Sequence, residues 1–314
     1  MKILDFEPCY IEAAQAIALM CYNDERALVP ALPDVGKLPG LGYYAENNLG
    51  VAAVDGEKLL GFFCWHRPFD NLFGSSKGTC VDVHAHGAVK QNRAEVYDRL
   101  YQAAAEKWVS NNVLSHCVVL YEHDMAANEA FSLNGFGRRC VDAIRETTPI
   151  AVPVCEGVTF RQAGKDDAAF IALAGNNIGI TLSKSPTFIP YPGDETIEDA
   201  IKGIESGDYP CFIAYEHCRP VAFFCIRKNG ENFVSYDASV MNICGAYALP
   251  EVRGKSISAG LLSWLMGWLR ENGYSRCGVD YECFNPTARK FWAKYFTPYT
   301  NAVVRRIDEG INSK

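Results

Sequence analysis

The chain has 314 residues, of which 49% are apolar, 12% aromatic and 21% charged. That length suits two domains, each large enough to bury its own core, and that balance excludes a largely disordered chain. A formal charge of −7, with no basic run longer than Arg138-Arg139 or Arg305-Arg306, argues against nucleic acid as the general partner.

Residues 3–6 alternate as a short strand, and apolar residues at helical spacing from Ile11 to Met20 predict a helix. Val29 to Gly40 is too rich in proline and glycine for regular structure and reads as a loop. Two apolar runs around Asp55-Gly56, between Gly50 and Trp65, predict a hairpin. A strand follows from Thr79 to Ala85, then a helix from Ala94 to Val109 with Val96, Leu100, Ala104 and Trp108 on one face. A strand at Cys117 to Leu120, a helix at Asp124 to Leu133 and a strand at Cys140 to Ile144 complete this half. The pattern breaks at Pro149-Ile150-Ala151-Val152-Pro153, which sets the expected domain boundary between 150 and 151.

The same order then returns: a strand at Val158 to Arg161, a helix at Asp166 to Ala174, a loop marked by Pro186, Pro190 and Pro192, and strands at Cys211 to Tyr215 and Val221 to Ile226. After the stretch at 249–262 come a strand at Cys277 to Tyr281, a helix at Thr287 to Ala293 and a closing strand at Ala302 to Ile307. The chain reads as a tandem duplication of one α/β plan.

The most informative stretch is Leu249-Pro250-Glu251-Val252-Arg253-Gly254-Lys255-Ser256-Ile257-Ser258-Ala259-Gly260-Leu261-Leu262. Proline ends an extended segment, small residues make a turn, and Ile257, Leu261, Leu262, Leu265, Trp268 and Leu269 recur at helical spacing. A helix start leaves N–H groups unpaired, and Arg253 and Lys255 place positive charge beside them, so this turn suits an anion such as a pyrophosphate.

In these residues the chain resembles the GNAT N-acetyltransferase superfamily, whose acetyl-CoA loop runs Pro-x-x-Arg/Gln-x-x-Gly-x-Gly/Ala before a helix carrying Leu-Leu. Pro250, Arg253 and Leu261-Leu262 match in register, with Ser256 and Ser258 in the glycine places, and Asn285-Pro286-Thr287-Ala288 matches a later Asn-x-x-Ala helix. The two halves also resemble a tandem GNAT subgroup in which Val29 to Pro33 and Asn134 to Gly137 recur. The resemblance implies an α/β (α+β) fold of two tandem GNAT-like domains, 1–150 and 151–314, each a mixed, mostly antiparallel sheet flanked by helices. It also implies acetyl-CoA as cofactor, held by Ala248, Leu249, Arg253, Gly254, Lys255, Ser256, Ile257, Ser258, Ala259 and Asn285, the backbone around Ala248 and Leu249 pairing with the pantetheine arm.

Laid on the same motif, the first half puts Asn92 at the Arg/Gln position with Glu95 and Tyr97 in the glycine places. A second register puts Arg93 there, with Val96 and Asp98 following. A carboxylate repels a pyrophosphate and a tyrosyl ring fills its space, so the first half is expected to be degenerate and not to bind CoA.

Acyl transfer to an amine needs a base, donors for the carbonyl oxygen and an acid for the thiolate. The family's acid is a tyrosine seven residues after the helix-starting asparagine; counting from Asn285 reaches Trp292, and from Asp124, Phe131. Trp292 then serves either beside the thioester or in the core, and the candidate catalytic residues are Glu282, Asn285 and Trp292. Asp280 and Asp237 are further candidate bases, Asp280 on the same strand face as Glu282. His84 and His86 share one face of an expected strand, but no third ligand accompanies them and no metal is expected.

Thirteen cysteines without a Cys-x-x-Cys pair, several inside apolar segments such as Phe223-Phe224-Cys225-Ile226, read as reduced small hydrophobes. Cys211, Cys218 and Cys225 recur at equal spacing and read as core packing in a hairpin. The apolar start is broken by charge at once and no window reaches membrane-spanning length, so the expectation is a soluble, cytoplasmic protein without a membrane partner. The function expected is acetyl transfer from acetyl-CoA to a small-molecule amine, cationic amines being favoured by the acidic charge; the alternative is a non-catalytic acyl-CoA-binding or interaction protein. The oligomeric state is left open.

Overall fold

The computed structural model describes residues 1–74, 76–191 and 193–312, so Pro192 of the proline-marked loop lies outside the described residues. In chain order the elements are β1 (Lys2–Asp5), α1 (Ile11–Leu28), α2 (Gly42–Glu46), β2 (Gly50–Asp55), β3 (Lys58–Cys64), β4 (Gly78–Val81), β5 (His86–Ala88), α3 (Arg93–Ser110), β6 (Ser115–Tyr121), α4 (Met125–Leu133) and β7 (Gly137–Glu146). Then follow β8 (Val158–Gln162), α5 (Ala168–Ser183), α6 (Ile197–Ser206), β9 (Cys211–Glu216), β10 (Arg219–Arg227), β11 (Val240–Ala248), α7 (Ile257–Glu271), β12 (Arg276–Glu282), α8 (Pro286–Tyr295) and β13 (Thr297–Arg306). They form two compact units, Met1–Asp142 with Pro298–Lys314, and Ala143–Thr297. The division differs from a break at 150/151 in two ways: strand β7 carries the crossing, and the last strand belongs to the first unit.

In the first unit, β1, β2, β3 and β5 make a four-stranded antiparallel sheet. Strand β6 pairs parallel with β4 and antiparallel with β13, Thr300 facing Tyr121 and Arg306 facing Ser115. Helix α3 packs Val96, Tyr97, Leu100, Tyr101, Ala104 and Trp108 into the core, where Phe63, Phe131 and Phe136 meet them. The expected strand from Thr79 to Ala85 is broken. It stops at Val81, residues 82–85 leave the ladder, and β5 resumes against β3.

In the second unit, β8, β9, β10 and β11 are successively antiparallel and β12 pairs parallel with β11. Helices α5 and α6 cover β9 and β10 through Phe170, Ile171, Ala174 and Ala200. The sequence reading missed α6. Its signal was present, since Thr196 and Asp199 form a reciprocal capping box and Ile197, Ile201 and Ile204 recur at helical spacing. Helix α7 buries Ile257, Leu261, Leu262, Leu265 and Leu269. Gly260 lets it approach β8, because a Cβ there would meet the Phe160 ring at 2.7 Å.

Candidate functional site

The site of interest in the second unit begins where two strands part. Strand β11 pairs with β12 from Val240 opposite Arg276 to Ile243 opposite Val279, and the pairing goes no further although both strands continue. At the same point β11 bulges. Cys225 of β10 faces Gly245 and Ile226 faces Ile243, leaving Cys244 as the extra residue. Leu249 N–H bonds the Val221 carbonyl at 2.9 Å, so the alternation of an antiparallel ladder turns the backbone groups of Ala246 and Ala248 away from β10, toward the side β12 has left. Both Leu249 backbone groups are engaged, its carbonyl accepting from Val252 N–H at 3.1 Å, so at this corner the outward amide is that of Ala248.

A short 3-10 turn, Pro250–Val252, then leads through Arg253, Gly254 and Lys255 to α7. Gly254 has φ +80° and Ser256 has φ +63°. Ser256 therefore holds the left-handed conformation that favours glycine, which is the physical reason for a glycine in the family motif at this place. No side chain caps α7, so the N–H groups of Ile257, Ser258 and Ala259 point out of a 15-residue helix with its dipole behind them. Ile257 and Ala259 bury their side chains and Ser258 is half-buried. The exposed Arg253 folds back, its Nε donating to the Ala248 carbonyl at 3.0 Å and its guanidinium 5.6 Å from the Tyr247 ring centre. Lys255 lies 4.0 Å from Glu216.

Across the gap, Asp280 and Glu282 share one face of β12, both half-buried. Burial and the neighbouring Glu231 raise the Asp280 carboxyl to about 6, against the pull of Arg227. Asp237 is different: hydrogen bonds from Ser239 Oγ and N–H hold its carboxyl below the usual range, so it is a poor base. Asn285 caps α8, its Oδ1 accepting from Ala288 N–H at 3.3 Å, while its own N–H donates to the Glu282 carbonyl at 3.0 Å. Trp292 is 5% exposed and packs against Phe224, Phe291 and Phe296. This aromatic cluster gives it a packing role.

Sequence reasoning missed a second hollow in this unit. A cavity of about 440 Å³ lies between α5 and the loop residues Ile189, Pro190, Tyr191, Gly193 and Glu195, with Gly175 and Gly179 on the helix side. Tyr191 Oη donates to Asn176 Oδ1 at 2.9 Å and Glu195 N–H donates to the same atom at 2.7 Å. Glu195 contributes to the electrostatic field at Cys225. No local motif announces Glu195.

The first unit repeats this geometry in altered form. Strand β4 pairs parallel with β6 up to Val81 opposite Val118, and Val89 N–H bonds the Leu60 carbonyl as Leu249 N–H bonds Val221. Asn92, with φ +52°, stands immediately before α3 as Ser256 stands before α7. Neither register drawn from the sequence survives this comparison: Asn92 matches Ser256, and only Lys90 and Gln91 stand where Pro250 to Lys255 form the loop of the second unit. Glu95 is exposed, and Tyr97 is buried in the core.

His86 is fully enclosed there. Its Nε2 donates to the Val119 carbonyl of β6 at 2.8 Å and its Nδ1 accepts from Tyr97 Oη at 3.0 Å, so the ring bridges β5 to β6. Burial pushes its pKa down to about 4 and keeps it neutral. Arg93, the first residue of α3, pairs with Asp124, the cap of α4, at 2.8 Å with both side chains nearly buried. His84 and His86 do not share a strand face, and among the described residues no cluster of ligands suits a metal ion.

A family model described as Acetyltransferase (GNAT) family matches residues 181–296. The chain carries a GNAT acetyltransferase domain. No curated protein matches it. Among solved structures it is similar to a GCN5-related N-acetyltransferase from Sphaerobacter thermophilus, with 13% identity over 97% of this chain and 95% of that one, at a TM-score of 0.55. It is also similar to a GNAT-family acetyltransferase from Colwellia psychrerythraea, 14% identical over 98% and 100% of the two chains at TM-score 0.47. A tandem GNAT protein from the clavulanic acid biosynthesis pathway is 10% identical over 97% and 98%, at TM-score 0.44. The first likeness, at its low identity, concerns the GNAT fold alone; the other two carry no weight beyond it. Family and fold together support an acyltransferase. No described helix is long and apolar enough to cross a membrane.

Proposed function

We propose that the second unit transfers an acetyl group from acetyl-CoA to the amine of a small molecule, and that the first unit is a GNAT-like domain without a cofactor site. The observation that carries this reading is the pairing of parted strands β11 and β12 with an uncapped α7 whose preceding Ser256 is left-handed. The N–H groups of Ile257, Ser258 and Ala259 suit the pyrophosphate, and those of Ala246 and Ala248 suit an extended amide-bearing arm. Bound acetyl-CoA supplies the activated thioester. Cys244, at the bulge, marks the mouth of the gap where that thioester would lie.

Asp280 is the base in this reading. A carboxyl held at about 6 is ionised at neutral pH yet basic enough to take a proton from an incoming ammonium. Glu231, whose charge acts on Asp280, adds negative charge beside the same gap, which favours a cationic amine. Glu282 lies farther along the same strand face, and Asn285 holds the start of α8 in place.

In the first unit the short Lys90-Gln91 link leaves no equivalent of the loop, and the His86 side chain bridges β5 to β6. Helix α3 starts without a side-chain cap as α7 does, but the Arg93–Asp124 pair sets a carboxylate and its partner at that start, which disfavours an anion there. The second reading, binding of acyl-CoA without turnover, is favoured by one observation: the residue at the acid position is the packed Trp292. Purified protein with acetyl-CoA and a panel of diamines and other cationic amines tests the choice. Release of free thiol dependent on the amine is expected; tight CoA binding with no thiol release across the panel favours the second reading, and no binding at all removes both.

A further inference from the structure

Cys211 on β9, Cys225 on β10 and Cys244 on β11 form a row across three neighbouring strands. Cys211 and Cys225 face each other in the antiparallel register, and the bond from Ile226 N–H to the Pro210 carbonyl, 2.9 Å, makes theirs a non-hydrogen-bonded pair. Such pairs bring their Cα atoms to about 4.5 Å, within the span a disulfide bridges without backbone movement. The sulfurs are 2.9 Å apart. On its other side the Cys225 thiol is hydrogen-bonded to that of Cys244, the bulge residue. Exposure grades along the row, from buried Cys211 through half-buried Cys225 to exposed Cys244. Cys218, by contrast, sits exposed in the turn between β9 and β10 and takes no part.

We propose that this row is an oxidation site, in which a peroxide entering at Cys244 leaves a disulfide between Cys211 and Cys225. The bond to Cys225 and partial burial hold the Cys244 thiol above its ordinary range, so attack goes through its small thiolate fraction: the sulfur takes one peroxide oxygen, the O–O bond breaks, and the departing hydroxide takes up a proton to give water. Cys225 then attacks the resulting sulfenic sulfur, forming an S–S bond and releasing a second water. Cys211 displaces Cys244 from Cys225 by thiol–disulfide exchange, so Cys244 returns to the thiol. In sum, two thiols and one hydrogen peroxide become one disulfide and two waters. Cys225 is central because it alone touches both neighbours, and Cys244 is the entrance because it alone of the three is exposed. The inference does not rest on acyl transfer, since its readout is mass.

The test treats the full-length protein with hydrogen peroxide at mildly alkaline pH, alkylates the remaining thiols and maps the peptides by mass spectrometry. The expected result is a Cys211–Cys225 cross-link two hydrogens lighter than the free pair, with Cys9, Cys218 and Cys244 alkylated. Cys244→Ser slows the cross-link by about tenfold or more, because Cys244 is the thiol of the row that peroxide reaches from solvent. Cys211→Ala shifts the bridge to Cys225–Cys244. Cys225→Ala, checked for its native circular dichroism, abolishes both bridges and lets a sulfenic acid trap label Cys244. Full alkylation of Cys211 and Cys225 after peroxide, or a Cys244→Ser protein that cross-links at the parent rate, overturns the proposal.

Discussion

Ser256 and Asn92 occupy the same place in the two copies of the plan: each is a left-handed residue immediately before the long helix that follows the split strand. The equivalence carries an energetic difference. A left-handed conformation costs an ordinary L-residue about 1–2 kcal/mol, and asparagine tolerates it better than serine.

Ser256→Gly therefore raises stability, by a few tenths to about 1 kcal/mol once the extra flexibility of glycine in the unfolded chain is set against the relieved strain. Asn92→Gly gains less. Thermal unfolding of both variants checks the order, and a larger gain at Asn92 contradicts it. Ser256→Val, with a β-branched side chain in this conformation, lowers stability.

The stretch around Ser256 was legible in the sequence because its chemistry is local: a proline, small residues and helical spacing lie within one run from Leu249 to Leu262. The first half hid its register because the loop there is shorter, and alignment by motif assumed equal length. Only the matching hydrogen bonds of Val89 and Leu249 reveal the shortening. The break at residues 82–85 was equally invisible, since Thr79 to Ala85 alternates like a strand. Glu195 packs against α5 through the docking of a loop on Gly175 and Gly179, and a contact between separate elements leaves no periodic trace. The return of β13 to the first unit is of the same kind. Its residues read as a strand, but their partner β6 is far away in sequence.

Cofactor affinity separates the two units. Ser256→Glu places a carboxylate at the start of α7 and weakens CoA binding by about 100-fold or more, since like charge near a pyrophosphate is strongly unfavourable away from bulk water. Arg253→Ala weakens it less, by about tenfold or under, because the guanidinium braces the Ala248 carbonyl and acts on the phosphate from outside. Asn92→Ala leaves affinity unchanged. Calorimetric titration with CoA reads all three, and equal losses from Asn92→Ala and Ser256→Glu count against a single site in the second unit.

Asp280 predicts the shape of the pH profile. Its carboxyl is raised to about 6 and must be ionised to accept a proton, so kcat/KM with an amine rises with pH through about 6. Asp280→Asn removes that limb together with most of the activity, while CoA affinity stays within about twofold, as expected of a base that meets the amine and not the nucleotide. Should Asp280→Asn keep the parent profile, another group is the base, and Glu282→Gln is the next variant to measure.

His86 predicts how the first unit responds to acid. Its folded pKa is depressed to about 4 from an ordinary 6.5, because protonation would charge a ring shut away from water. A depressed folded value means the unfolded chain binds the proton first, so stability is intact above about pH 6.5 and is lost as pH falls from there toward 4. By linkage the loss reaches about 3 kcal/mol near pH 4 for this ring alone. His116, also held near 4 by burial and bonded to Tyr101 Oη at 3.0 Å, adds a loss of the same sign. Urea unfolding at pH 7 and pH 5, followed by a probe in the first unit, measures the slope. His86→Gln keeps an amide able to bond the Val119 carbonyl and the Tyr97 hydroxyl but does not titrate, so its slope between these values is shallower than the parent's. An unchanged slope means the His86 ring takes up its proton in the folded chain as readily as in the unfolded one, which would reopen the bridge between β5 and β6 and with it the claim that this unit has closed its cleft.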